Sequence, residues 1–358
     1  MKKILFFFSL GFFFLSALPS LAKTTAAPTW KPTTPDGYTP ISWVNARGVA
    51  SFVKSPSGNG YADFITSIYL PYNQIKLLSS STTAPVSWGP AQPPFDMLNI
   101  TGIASSTVQD WAVPRVVAEQ TKSDNPDVKF VWNVPFFNIT ADTTDLSLSL
   151  KLTNAFGTFI SSGSRPAGDM AQPRRMLIVN NAKGTAEISD FDEEVFASAS
   201  SGDQAVEGFA PTVVKSDGSM ATARLFLGVK PNNKELVVYC SRGASSAEAS
   251  NALLDAGVPV ENQMMADGGG SATCGYNLPG QYFVEPGRTL PYLMGSVPLL
   301  YRGVSTIKDL NVRKGPGSKN AVVRKLAKGA PVIVYQEKTG WYRIGTGEWV
   351  SATLIKKI

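Results

Sequence analysis

Asp267-Gly268-Gly269-Gly270-Ser271-Ala272-Thr273-Cys274 follows directly on 258–266, a segment that reads as a buried strand. Glycine loses more conformational freedom on folding than any other residue. Three in succession therefore belong where φ must be positive or where backbone approaches something closely. Two readings are open: a tight turn, or a ligand loop presenting Asp267 beside bare amides. Ser271, Thr273 and Cys274 add two hydroxyls and a thiol at once.

Upstream, Arg224-Leu-Phe-Leu-Gly228-Val reads as a strand, Pro231-Asn-Asn-Lys234 as its turn and 235–240 as the returning strand of a hairpin. Ser245-Ser-Ala-Glu248 has the form of a capping box. Ala249, Ala252, Leu253 and Ala256 share one helical face, and Gly257 stands where a helix ends. Strand, helix and strand then deliver Asp267 to the carboxyl end of a sheet, where open sheets with helical crossovers carry their sites. The expected fold is α+β: a mixed-sheet domain with a strand–helix–strand core.

The chain has 358 residues, 43% hydrophobic and 17% charged, enough for a large domain and a small one. Lys2 and Lys3, an apolar run over 4–15 and the close Ser20-Leu21-Ala22 have the order of a secretory signal peptide over 1–22. A Pro/Thr-rich leader follows over 23–45, then the main domain over 46–300. No later segment is apolar and long enough to span a bilayer. The expected location is secreted, periplasmic or on the surface of a bacterial cell. In an exported chain the two cysteines, Cys240 and Cys274, either pair across the glycine loop or stay free.

Histidine is absent, which excludes Ser-His-Asp and Cys-His catalysis and any His-ligated zinc. No spaced ligand set suggests a metal, and no cofactor is expected. The net charge of +6 is unevenly placed. Residues 301–358 hold 12 Lys/Arg against 3 Asp/Glu, whereas 23–300 hold 19 against 24. Such a basic carboxy-terminal module suits an anionic envelope or cell-wall polymer better than nucleic acid in an exported protein.

Past Pro298 five short strands alternate with close turns, the pattern of a small barrel. Leu310-Asn-Val-Arg313 with Gly315-Pro316, Gly329, Gly340-Trp341-Tyr342 and Trp349-Val350 closely resemble bacterial SH3-like domains. That resemblance implies an all-β barrel over 301–358 which docks an enzyme onto cell-wall or other surface ligands.

The larger body resembles the phosphodiester glycosidase family, best over 107–298. Thr107-Val-Gln-Asp110-Trp111-Ala112 and Asn133-Val-Pro-Phe136-Phe137 look like its helix and its Asn-Gly-Gly-Phe-Phe turn. Arg224 with Gly228, Ser241-Arg242-Gly243, Asp267-Gly-Gly-Gly-Ser271 and Arg288-Thr-Leu-Pro291 follow in the family's order. Val134 and Pro135 replace the two glycines, and Ser241 stands where Asp is usual.

The resemblance implies hydrolysis of a sugar-1-phosphate linkage, N-acetylhexosamine-like, in an envelope or extracellular polysaccharide. Asp267 and Arg224 are the candidate catalytic residues. Asn133, Arg242, Gly268, Gly269, Gly270 and Ser271 are the candidate substrate ligands. Phosphate is a good leaving group, so strong acid help matters less than in ordinary glycosidases. Guanidinium forks and consecutive amides suit its charge. The alternative is a non-catalytic carbohydrate-binding protein with a degenerate site, Arg224 or Arg242 merely pairing with Asp267.

Overall fold

Leu225, Leu227 and Val229 alternate with Phe226 along Thr222–Val229, and all four are buried. A strand apolar on both faces has to lie inside a layered fold, with something packed on each side. The elements around it are β1 (Phe130–Asn133), β2 (Thr222–Val229), β3 (Glu235–Ala244), α1 (Ser246–Asp255), β4 (Gln263–Gly268) and β5 (Cys274–Tyr276).

The computed structural model describes residues 30–42, 46–56, 60–78, 96–97, 126–133, 139–140, 150–153, 157–160, 174–192, 194–195, 203–211, 222–269, 272–277, 282–284 and 293–358. Trp30 and Lys31 belong to a unit of their own, Met1–Lys31, and all the others to Pro32–Ile358. The expected signal peptide, the helix opening at Thr107 and the Val134-Pro135 turn lie outside the described residues.

β2 sits between β3 and β4 and runs antiparallel to both. Asp63–Tyr69, Val49–Lys54 and Thr39–Pro40 extend the sheet beyond β3. Asp203–Phe209, Arg174–Asn180 and Thr185–Asp190 extend it beyond β4. With Gly157–Ile160 and Leu150–Thr153 the sheet has 11 strands among the described residues, and among these the one parallel pairing is Gly157–Ile160 against Asp203–Phe209. A second sheet, in the order Tyr282–Val284, β5, β1, Leu293–Pro298, Asn73–Leu78, is antiparallel throughout.

The two sheets face each other. Leu225, Leu227, Val238, Met264 and Ala266 of the first meet Phe130, Trp132, Tyr276 and Met294 of the second in one buried cluster. A polar tether crosses the same gap: Ser51 Oγ bonds Thr66 Oγ1 at 2.7 Å and the Tyr276 hydroxyl at 2.8 Å. On the outer face of the large sheet, Phe226, Val237, Tyr239 and Met265 pack against Ala249, Ala252 and Leu253 of α1. Tyr38, from the segment read as a leader, is buried in that same cluster. The capping box sets where α1 begins. Ser245 Oγ accepts from Glu248 N at 3.1 Å, and Ser245 N donates to Glu248 Oε2 at 2.7 Å.

The expected α+β core is therefore corrected: the protein is mostly β. The strand after α1 does not lie beside the strand before it, because β2 separates them and is antiparallel to each. α1 is the one complete helix among the described residues, and it covers a face of a sandwich.

From Tyr301 onward two further antiparallel sheets enclose Leu310, Val312, Leu326, Val332, Val334 and Val350, which fits the expected all-β carboxy-terminal barrel. Trp349 is buried and Trp341 half-buried. Arg302, on the first strand of this module, is 7% exposed. Its Nε donates to Asn181 O at 2.6 Å, Nη1 to Pro71 O at 2.8 Å and Nη2 to Asn73 O at 2.9 Å. Burial pushes the guanidinium down to about 10, still charged at neutral pH. Gly184 makes room for it, since a Cβ there would stand 2.8 Å from the guanidinium carbon. The Tyr335 hydroxyl also donates to Gln74 Oε1, and Arg343 Nη1 meets Asp127 Oδ2 at 3.1 Å. Among the described residues no helix is long and apolar enough to cross a membrane.

Arg302→Ala leaves three carbonyls without their donor. Hydrogen bonds to charged groups contribute about 1.5–3 kcal/mol each, so the variant should lose at least about 3 kcal/mol in urea denaturation. An unchanged midpoint would contradict this role.

Candidate functional site

β4 breaks its own alternation. Met264 and Ala266 face the second sheet and Met265 faces α1, so a regular strand would send Asp267 toward α1. The register prevents this. Phe226 lies opposite Met265 and Leu225 opposite Asp267, which leaves Ala266 as the extra residue of a β-bulge. Asp267 is thereby turned to the side of Leu225, toward the second sheet. There Asn133, at the end of β1, donates from Nδ2 to Asp267 Oδ2. Gly268 N donates to Asp267 Oδ1 at 2.7 Å. A carboxylate only 1% exposed thus has a hydrogen bond on each oxygen, as burial requires.

Asn133 is itself held. Its Oδ1 accepts from Thr273 N at 2.8 Å, and its own N donates to Thr273 O at 3.1 Å. The glycine turn therefore returns on itself to fix the amide that grips Asp267. Gly269 has a φ of +69°, in the left-handed region, and a Cβ there would meet nothing. Conformation, not space, makes that position glycine. At Gly268 a Cβ would stand 2.9 Å from Arg224 Nη1, so a side chain there would displace that guanidinium.

Arg224 is 2% exposed, opposite Gly268 on one side and Ser241 on the other. It stands one rung from Asp267. The rung continues through Asp63 to Lys54, so cations and an acid lie in one row across the sheet. Ser241 donates from Oγ to Ala62 O at 3.2 Å and accepts from Gly243 N at 3.3 Å, which closes the local turn. Arg242 is exposed, and the Tyr61 ring lies against Gly243 beside it.

Cys240 and Cys274 are joined, with Cα atoms 6.4 Å apart. Cys240 shares the rung of Leu225 and Asp267, and Cys274 directly follows Thr273. The bridge therefore links the two sheets beside the Asn133–Asp267 contact. Of the other sequence candidates, Gly270, Ser271 and the 288–291 segment lie outside the described residues. Among the described residues no group of three or more Cys, Asp or Glu is placed to hold a metal ion.

Of the residues singled out from sequence, Asn133 and Gly268 hydrogen-bond Asp267, and Arg224 lies on the next rung, opposite Gly268. Sequence reasoning does not reach Thr273 as a site residue, because the working group is its backbone amide, which no side-chain pattern marks. The bulge at Ala266 has no signature either.

Residues 308–356 match the bacterial SH3 domain family. That match covers the small module and assigns no family to the body. No curated protein matches the chain. Among solved structures, the chain is similar to the catalytic domain of zebrafish N-acetylglucosamine-1-phosphodiester alpha-N-acetylglucosaminidase, auto-inhibited by its pro-peptide. The TM-score is 0.42 at 15% identity, over 70% of this chain and 84% of that one. A hypothetical protein from Synechocystis is similar with a TM-score of 0.36 at 12% identity, over 72% of this chain and 63% of that one. At these values neither likeness bears on activity.

The bridge closes a sequence separation of 34 residues. Loop-closure entropy for that length is roughly 3–4 kcal/mol, so Cys240→Ala with Cys274→Ala should lower stability by about that much. Urea denaturation of the double variant beside the oxidised protein measures it; equal midpoints would refute the bridge's contribution.

Proposed function

We propose that the chain is an exported hydrolase of glycosyl phosphodiesters, acting on a sugar-1-phosphate linkage in an envelope or extracellular polysaccharide. The observation that carries this reading is the bulge-turned Asp267 carboxylate, fixed by Asn133 and Gly268 at the head of the glycine turn, with Arg224 one rung away. The order of the motifs along the sequence supports the same reading.

In the proposed reaction, the bond between the anomeric carbon and the phosphate oxygen breaks. Its electron pair leaves with the phosphate, and water adds to the sugar. Asp267 lies against the positive charge that develops at the anomeric carbon and takes the proton of the incoming water. Arg224 and the Gly269 amide receive the departing phosphate. Asn133 keeps the carboxylate aimed. Export rests on the signal-peptide pattern of 1–22, and the barrel is assigned to surface attachment, as its bacterial SH3 match supports.

Ser241 favours a second reading. Its hydroxyl serves the Ala62–Gly243 turn where the motif elsewhere brings an acid, as it would in a binding protein with a degenerate site.

Assays on a panel of N-acetylglucosamine phosphodiesters separate the two. Asp267→Asn should lower turnover at least about 10²-fold, the lower end of what positioned acid–base groups supply. Far-UV circular dichroism should stay that of the parent. No release from any substrate by the parent protein, with polysaccharide binding retained, would select the binding reading.

A further inference from the structure

The cations of the carboxy-terminal module are concentrated in one hairpin. Seven of its 12 Lys/Arg lie in 308–328, with Asp309 the one acid there. Leu310–Arg313 pairs with Val322–Leu326, and the latter is an end strand of its five-stranded sheet. At the other end of that sheet, around Gln336–Lys338 and Trp341–Gly345, Tyr335 and Arg343 are committed to Gln74 and Asp127 of the body. The body therefore occupies one end of the sheet, and the basic hairpin forms the other.

Two of the seven cations are engaged within the module. Arg313 Nη1 donates to Asn320 O at 2.7 Å. Arg324 forks onto Glu348 at 2.7 and 2.8 Å, and that pairing holds the Glu348 carboxyl below its usual range. Lys308, Lys314, Lys319, Lys325 and Lys328 remain, all exposed. Val322 and Val323, on the same edge strand, are 44% and 48% exposed. Lysines beside apolar surface match a polymer that alternates charged groups with sugar rings.

We infer that this hairpin edge binds a linear anionic glycan whose units are joined through phosphodiesters, the polymer on which the body acts. The identity of the polymer rests on the reading of the body as a glycosyl-phosphodiester hydrolase; the surface does not. The edge strand has five residues, about 16 Å of extended chain, enough to hold one polymer strand. Each lysine neutralises one phosphate and releases a counterion, so binding weakens with salt.

The test uses the full chain with Lys314, Lys319, Lys325 and Lys328 changed to Gln. Both proteins are titrated at several salt concentrations against long-chain inorganic polyphosphate, polygalacturonate, double-stranded DNA and dextran. The parent should bind polyphosphate and ignore dextran. The magnitude of its log–log salt slope should fall by roughly 0.7 for each lysine removed, with the melting temperature unchanged. Equal polyphosphate binding by the variant would overturn the surface. Tighter binding of polygalacturonate than of polyphosphate would overturn the phosphate-bearing polymer, and tighter binding of double-stranded DNA than of polyphosphate would overturn the glycan in favour of nucleic acid. Loss of polyphosphate binding in the variant, alongside a parent that cleaves no glycosyl phosphodiester, would uphold the surface and fail the activity alone.

Discussion

One extra residue in β4 decides which way Asp267 points. Regular pairing would send the carboxylate toward Phe226, Val237 and the apolar face of α1, where burying a charge is costly. With Ala266 bulged out, the same carboxylate meets the Asn133 amide and its own neighbour's N–H. The contact spans two sheets, so it depends on those sheets keeping their mutual position. The Ser51–Tyr276 tether, the Cys240–Cys274 bridge and the apolar cluster around Trp132 hold that position. Asn133 and Asp267 are far apart in sequence, and only the sandwich makes them neighbours.

The local elements were legible because their causes are local. Ser245 and Glu248 mark a helix start that the structure keeps, and the Arg224-to-Cys240 hairpin forms where its turn residues place it. The barrel was legible from the spacing of its strands and turns. The fold class of the body was not. A strand, a helix and a strand in succession look like a crossover in a mixed sheet, yet β2 pairs between the flanking strands. Pairing partners are chosen by packing on both faces, and nothing in the order of elements reports it.

The site was legible in part for the same reason. Asp267 and the glycines announce themselves by their cost in chain entropy. Thr273 acts through a backbone amide and Ala266 through its lack of a partner, so neither carries a recognisable side chain. Arg302 reads as one more cation of a basic module, but its three carbonyl partners make it part of the body's framework. Buried Arg302 thus helps fix the module in place, whereas five exposed lysines lie on or beside the far hairpin.

In the proposed function Asp267 works at an anomeric carbon while Arg224 and the glycine turn receive phosphate. The decisive measurement is a crystal structure with N-acetylglucosamine 1-phosphate bound. The expected result is a carboxylate oxygen of Asp267 within about 3.5 Å of the anomeric carbon, a near-attack distance, with phosphate oxygens on Arg224 and the Gly269 amide. A ligand bound away from the glycine turn, or with its phosphate remote from Arg224, would contradict it.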